Sequence, residues 1–202
     1  MDNFYLKIKK ELLNRNKSYV NDISTENERI NLNKIKKEYK IAAVLFPFIE
    51  KDKQLNVILT TRSKEVVSHP GQVCFPGGKL DKTDKNLIEC AKREAFEEIG
   101  IKPNQIKVLG QIDQCITGTA YKVTPIVALI SSEYIPVIQE SEVADLFEVP
   151  FDFFLDKNNL KMEKANYKGK NYSYYQYNWK NKKIWGSTAR MIVNFCEIMK
   201  IY

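Results

Sequence analysis

Histidine is almost missing from this chain: one residue, His69, stands among 202. Within SHPG it reads as a loop or turn residue rather than a catalyst, because Pro70 and Gly71 beside it favour a turn. Cysteine is sparse as well. Cys74, Cys90, Cys115 and Cys196 lie far apart and form no Cys-x-x-Cys pair, so neither zinc spacing nor a disulfide framework is indicated, and a reducing cytoplasm is expected. No run approaches the ~18 apolar residues of a membrane span. The opening MDNFYLKIKKELLNRNK mixes apolar with charged residues and has no apolar central stretch, so neither a signal peptide nor a transit peptide is expected. Internal repeats and low-complexity tracts are absent too. A chain of this length buries roughly 70% of its unfolded surface, which suits one domain over residues 1–202, with 1–40 as a helix and a polar connection.

Charge, by contrast, is plentiful. A total of 32 Lys plus Arg against 25 Asp plus Glu gives a formal net charge of +7, which favours anionic partners such as nucleotides, phosphorylated cofactors or nucleic acid. Lysine-rich solvation of the surface explains the same number.

Spacing of apolar residues orders the elements. Phe4, Tyr5, Ile8 and Leu12 predict an amphipathic helix, followed by a mostly loose polar stretch from Asn16 to Lys40. IAAVLFPFI (41–49) and LNVILTTR (55–62), separated by EKDKQ, predict a hairpin. Between Leu87 and Ile99 the apolar residues follow a period near 3.6, with Gly100 where a helix ends. Further strands are expected at 105–112, 121–130, 160–167 and 172–179, where the aromatic YSYYQYNW suggests cross-strand packing ahead of stacking on adenine or RNA bases. Ser187 or Thr188 is the expected N-cap of a last helix over 188–200.

The helix at 87–99 gathers Glu94, Glu97 and Glu98 within one turn of a basic protein. Like charges at this spacing cost about 0.2 to 0.5 kcal/mol per pair. Ordinary salt bridges answer part of it: Glu89 to Arg93, Arg93 to Glu97, and Glu98 to Lys102. Glu94 has no basic residue three or four positions away, and a hard divalent cation such as Mg²⁺ or Mn²⁺ would resolve its charge. Just upstream, Gly77 and Gly78 allow close backbone approach.

Gly78 followed by Arg93-Glu94-Ala95-Phe96-Glu97-Glu98-Ile99-Gly100-Ile101 resembles the box of the Nudix hydrolase family. The resemblance implies an α/β fold, a Nudix α/β/α sandwich with a mixed β-sheet between helices. It further implies Mg²⁺ or Mn²⁺ as cofactor, Glu94, Glu97 and Glu98 as metal ligands, and Arg93 as the residue that orients them. One departure is Asp84, which stands where the usual box has Glu, with the Arg one residue later; a helix cap is its expected role. LTTRSKEVVSHPGQVCFPGG (59–78) resembles the coenzyme A pyrophosphatase branch of that family, although Val67 stands where the branch often has Arg. This likeness implies Arg62, Ser63, Gly77 and Gly78 as substrate-binding residues, the guanidinium of Arg62 being a fork for phosphate oxygens. Glu97, Arg93 and Glu142 are the implied catalytic residues, with Glu142, or else Glu140, supplied from a loop.

The implied reaction cleaves the phosphoanhydride of coenzyme A or a derivative to 3′,5′-ADP and (acyl-)4′-phosphopantetheine. Two alternatives stand beside it: hydrolysis of another nucleoside diphosphate derivative, such as ADP-ribose or an oxidised nucleoside triphosphate, and a non-catalytic RNA-binding Nudix-fold protein. The partner is a small-molecule substrate, with nucleic acid disfavoured, no membrane, and room for a homodimer.

Overall fold

A computed structural model describes residues 2–13, 18–21, 24–25, 39–167 and 170–201. In chain order the elements are α1 (Asp2–Leu13), β1 (Tyr19–Asn21), β2 (Ser24–Thr25), β3 (Lys40–Lys51), β4 (Gln54–Arg62), β5 (Val73–Cys74), β6 (Gly77–Lys79) and α2 (Leu87–Ile99). There follow β7 (Ile106–Gln111), β8 (Gln114–Ile116), β9 (Tyr121–Ile130), β10 (Val143–Pro150), α3 (Phe151–Leu155), β11 (Leu160–Tyr167), β12 (Lys170–Trp179), β13 (Lys182–Trp185) and α4 (Gly186–Ile198).

The larger sheet runs β1-β8-β9-β3-β4-β10, with β5, β6 and β7 pairing β4, β3 and β9. It is mixed, as expected: β3 and β9 are parallel from Lys40↔Tyr121 to Ile49↔Ile130, whereas β4 and β10 are antiparallel. The β3–β4 hairpin also stands, closed by Asp52 and Lys53 with φ of 50° and 61°, the two left-handed residues of a turn that matches strand twist.

Because both faces of this sheet are covered, its strands read as nearly continuous apolar runs. Ala43, Leu45 and Ile49 of β3 point toward α2, meeting Ala91, Ala95 and Ile99. The alternate residues Phe46 and Phe48 point the other way and join Phe75, Phe151 and Phe195 in an aromatic core under α1, α3 and α4. There the rings of Phe46 and Phe75 are 4.4 Å apart, and those of Phe46 and Phe195 5.1 Å. Each such side chain, once buried, contributes about 1.5 to 3 kcal/mol.

A second sheet, β11-β12-β13 with β2 on β12, lies beyond α3 and α4. Several expectations need correction here. Residues 19–21 and 24–25 of the supposed loose connection are short strands, β1 pairing β8 and β2 pairing β12; residues 16–17, 22–23 and 26–38 of that stretch lie outside the described residues. Neither Ser187 nor Thr188 caps the last helix. It begins two residues earlier, at Gly186 after Trp185, and the Thr188 hydroxyl instead donates to Val73 O at 3.1 Å, fastening α4 to β5. Among the described residues no disulfide joins the four cysteines, and no helix is long and apolar enough to cross a membrane.

Candidate active site

The ends of α2 are set by local chemistry. Asn86, rather than Asp84, is its N-cap, accepting from the amides of Ile88 and Glu89 at 2.9 and 3.0 Å. At the other end Gly100, with φ of 77°, returns its N–H to Ala95 and Phe96. The helix therefore stops where its apolar face ends, and Glu98 is carried inward on that face beside Ala91 and Ala95. Its side chain is 3% exposed as part of a buried residue, and one oxygen accepts the Gly77 amide at 3.1 Å. It does not reach Lys102.

Two close approaches make this possible. Gly77 has φ of 154°, and a Cβ there would lie 2.5 Å from Ala43 O. At Gly78 a Cβ would lie 2.4 Å from the carboxyl carbon of Glu94. The glycines thus make room for β3 and for the Glu94 carboxylate.

Arg93 holds the outer side of the cluster. Its Nε and Nη2 clamp Asp84, both at 2.9 Å, while Nη1 donates to Glu94 at 2.9 Å and to Glu97 at 2.8 Å. Asp84 is consequently the anchor of Arg93, and that guanidinium holds its carboxyl down at about 2. Glu89 pairs with Lys92, not with Arg93. The spacing rule for helices missed the Arg93–Glu94 contact because it joins adjacent residues, and missed Asp84 because it lies outside the helix.

Electrostatically the inner pair is unlike an ordinary surface cluster. Burial pushes Glu98 up to about 8; Glu94 and Glu142 push the same way, against the Gly77 amide and the charge of Arg62. Glu94 is also raised, first by burial, with Arg93 opposing. Glu97 stays about half exposed on Arg93.

The residues read from other parts of the chain converge on this pair. Arg62 ends β4, with Nε donating to Ser68 O at 3.0 Å. Next to it, buried Ser63 donates its amide to Glu142 O at 2.8 Å, and Gln139 N donates to Glu98 O at 2.9 Å. Glu142 itself is exposed in the turn before β10, and its carboxylate makes no ion pair or hydrogen bond among the described residues. Glu140 lies exposed in the same turn, without these ties. His69 sits in an exposed turn with φ of 57°.

Residues 38–168, which hold every one of these side chains, match the family model described as NUDIX domain. The chain belongs to the NUDIX domain family. Two relatives bear the name Uncharacterized Nudix hydrolase NudL. The one from Photorhabdus laumondii is 38% identical over 160 residues, covering 79% of this chain and 85% of that protein. The one from Pectobacterium atrosepticum is 41% identical over 155 residues, covering 75% and 78%. A solved Ap4A hydrolase from C. elegans overlays with a TM-score of 0.48 at 17% identity, over 55% of this chain and 80% of that one.

Nudix hydrolases generally use divalent cations such as Mg²⁺ or Mn²⁺. Among the described residues no three His, Cys, Asp or Glu side chains already converge as a cage. The donor set nevertheless fits such an ion. Glu94 and Glu98 are neighbouring hard carboxylates, both raised by burial and neither given a full countercharge, and Mg²⁺ commonly takes one or two carboxylates directly. Glu97, turned outward onto Arg93, is the third donor of the expected set.

Proposed function

We propose that this Nudix protein, as one domain over residues 1–202, is a metal-dependent pyrophosphohydrolase of coenzyme A or its derivatives. Its products would be 3′,5′-ADP and (acyl-)4′-phosphopantetheine. The observation that carries the reaction class is the Glu94–Glu98 pair, Glu98 buried and Glu94 half-buried, with Glu142 within electrostatic reach of both carboxylates and Arg62 within reach of Glu98. What favours coenzyme A is the likeness of residues 59–78 to that branch, together with Arg62 at the end of β4.

Glu94, Glu98 and Glu97 would hold the ion, which would supply Lewis-acid polarisation of a diphosphate and a water of lowered pKa. The chain's own groups do the rest. Arg62 binds phosphate oxygens and offsets charge on the leaving phosphate. Arg93, held by Asp84, positions Glu94 and Glu97. Glu142 takes the proton of the attacking water; its carboxylate is unengaged, whereas that of Glu97 is tied to Arg93. Ser63, Gly77 and Gly78 shape the wall against which the diphosphate lies.

A second reading, a Nudix hydrolase of another nucleoside diphosphate derivative, draws support from Val67, fully exposed in the 63–72 loop where the branch often has Arg. Incubation of the purified protein with coenzyme A, ADP-ribose and nucleoside triphosphates, each with Mg²⁺ or Mn²⁺, separates the two. Release of 3′,5′-ADP from coenzyme A is the expected result; cleavage of ADP-ribose alone would refute the coenzyme A reading and leave the reaction class.

A further inference from the structure

One face of the second sheet combines features that packing alone does not require. Tyr177 of β12 and Ile184 of β13 are paired in register and point into the core. The alternate residues therefore lie on the opposite face: Tyr174, Gln176 and Asn178 of β12 with Lys183 and Trp185 of β13. Tyr174 and Trp185 form an edge-to-face pair, ring centroids 5.4 Å apart, and both are only half-buried. Lys183 is exposed, has no acidic partner among the described residues, and rests its ammonium 5.7 Å and 5.4 Å from the two ring centres.

Directly across from Trp185 sits Gln176, 8% exposed. Its Nε2 donates to Asn178 Oδ1 at 3.0 Å, but its Oε1 has no hydrogen-bond partner among the described residues. An unpaired buried acceptor is costly and uncommon, so it marks a position where a donor belongs. The same hairpin is fastened to the catalytic sheet: β13 packs against β5, and Lys182 donates to Thr61 Oγ1 at 3.2 Å, one residue before Arg62. On β11 Glu163 lies across from Tyr174 and the exposed Lys161 across from Gln176, so cations flank the Gln176 amide from both β11 and β13.

We propose that this face is the subsite for the purine nucleoside phosphate end of the substrate. The adenine ring stacks on Tyr174 and Trp185, which the weakly held Lys183 uncovers as its ammonium moves to a ribose phosphate. The Gln176 amide offers the pairing that suits adenine, an oxygen accepting from the exocyclic amine and a nitrogen donating to the ring. The subsite rests on the reading that the substrate carries an adenine nucleotide, and it adds to that reading the residues that select it.

The test uses 3′,5′-ADP, which has no phosphoanhydride to cleave, titrated into the full chain by calorimetry and by Trp emission. Lys183→Ala, at an exposed position, and Tyr174→Leu, checked for fold by circular dichroism, should each weaken its binding about tenfold, in the range of one lost stacking or phosphate contact. With coenzyme A as substrate both variants should raise KM by a similar factor at unchanged kcat, while binding of 4′-phosphopantetheine stays at the wild-type value. Unchanged 3′,5′-ADP binding in both variants overturns the subsite even if coenzyme A is hydrolysed normally. So does loss of binding to an RNA oligomer without loss of 3′,5′-ADP binding. If the variants lose 3′,5′-ADP but the wild-type chain leaves coenzyme A intact, the subsite stands and the coenzyme A reading falls.

Discussion

The two faces of the larger sheet are built on opposite terms. On one, Phe46, Phe48, Phe75, Phe151 and Phe195 fill the interior ring against ring, each within contact distance of another. On the other, α2 presses its apolar residues onto the sheet and carries Glu98 in with them, next to a second carboxylate that shares its sign. The first arrangement lowers the free energy of the folded state whatever is bound. The second raises it wherever Glu98 ionises without a cation, so the stability of one face offsets the cost carried by the other.

Glu98→Gln is the sharpest way to break the comparison. The amide keeps an acceptor for the Gly77 N–H but removes the buried charge, so phosphoanhydride turnover should fall about 10³-fold or more. In chelator the same variant should melt above the wild type near pH 8, because the cost of ionising Glu98 in a buried place is gone. Activity within tenfold of the wild type would remove Glu98 from the site. Phe195→Ala should do the reverse. It opens a cavity among Phe46, Phe48 and Phe151, costing about 3 to 5 kcal/mol by chemical denaturation, while kcat per folded molecule stays near the wild-type value. A variant that lost both together would show that the faces are not separable.

The two faces also differ in how they can be read from sequence. The period of α2 and its Gly100 stop were legible to the residue, because an amphipathic helix repeats every turn and the packing of Ala91, Ala95 and Ile99 enforces that repeat. Strands β9 and β11 were legible for a similar reason. Strands of two or three residues, β1, β2, β5, β6 and β8, are too short to show any period, and β10 hides its alternation under Asp145 and Glu148. Within the site, helical spacing places Glu94, Glu97 and Glu98 together. The apolar stripe of Ala91 and Ala95 also carries Glu98 inward, but nothing local tells that Asp84 serves Arg93, since that follows from where α2 lands on β3 and β6. Arg62, Ser63 and Glu142 came from family likeness, and their meeting is a matter of tertiary hydrogen bonds between β4 and the turn before β10.

Smaller changes grade the carboxylate face. Gly78→Ala would bring a methyl to 2.4 Å from the Glu94 carboxyl, which must swing away. Affinity for Mn²⁺ should drop about 10- to 100-fold, measured by calorimetry, with a modest change in melting temperature. Asp84→Asn removes the charge that clamps Arg93 while keeping its shape, and kcat should fall about tenfold as Glu94 and Glu97 lose a fixed partner. A wild-type kcat in Asp84→Asn would mean that Arg93 needs only its contacts to the helix.

The smallest effect is a slope. In metal-free protein the native state holds a proton on Glu98 up to about pH 8, whereas the unfolded chain releases it near 4.5. Between those values the native state binds more protons, so this group makes stability fall with rising pH, by at most about 1.4 kcal/mol per unit. Asp84 works in the opposite sense, since its carboxyl is held at about 2 and its contribution disappears only as pH drops below the ordinary carboxylate range. Denaturant unfolding in chelator from pH 5 to 8 should therefore show stability declining in the wild type and a flatter profile in Glu98→Gln, while Asp84→Asn keeps the decline. Saturating Mn²⁺ should remove the slope as well, because the ion takes the place of the proton and favours the carboxylate that burial alone disfavours. Parallel slopes in wild type and Glu98→Gln would mean that the charge held against the sheet is not at Glu98.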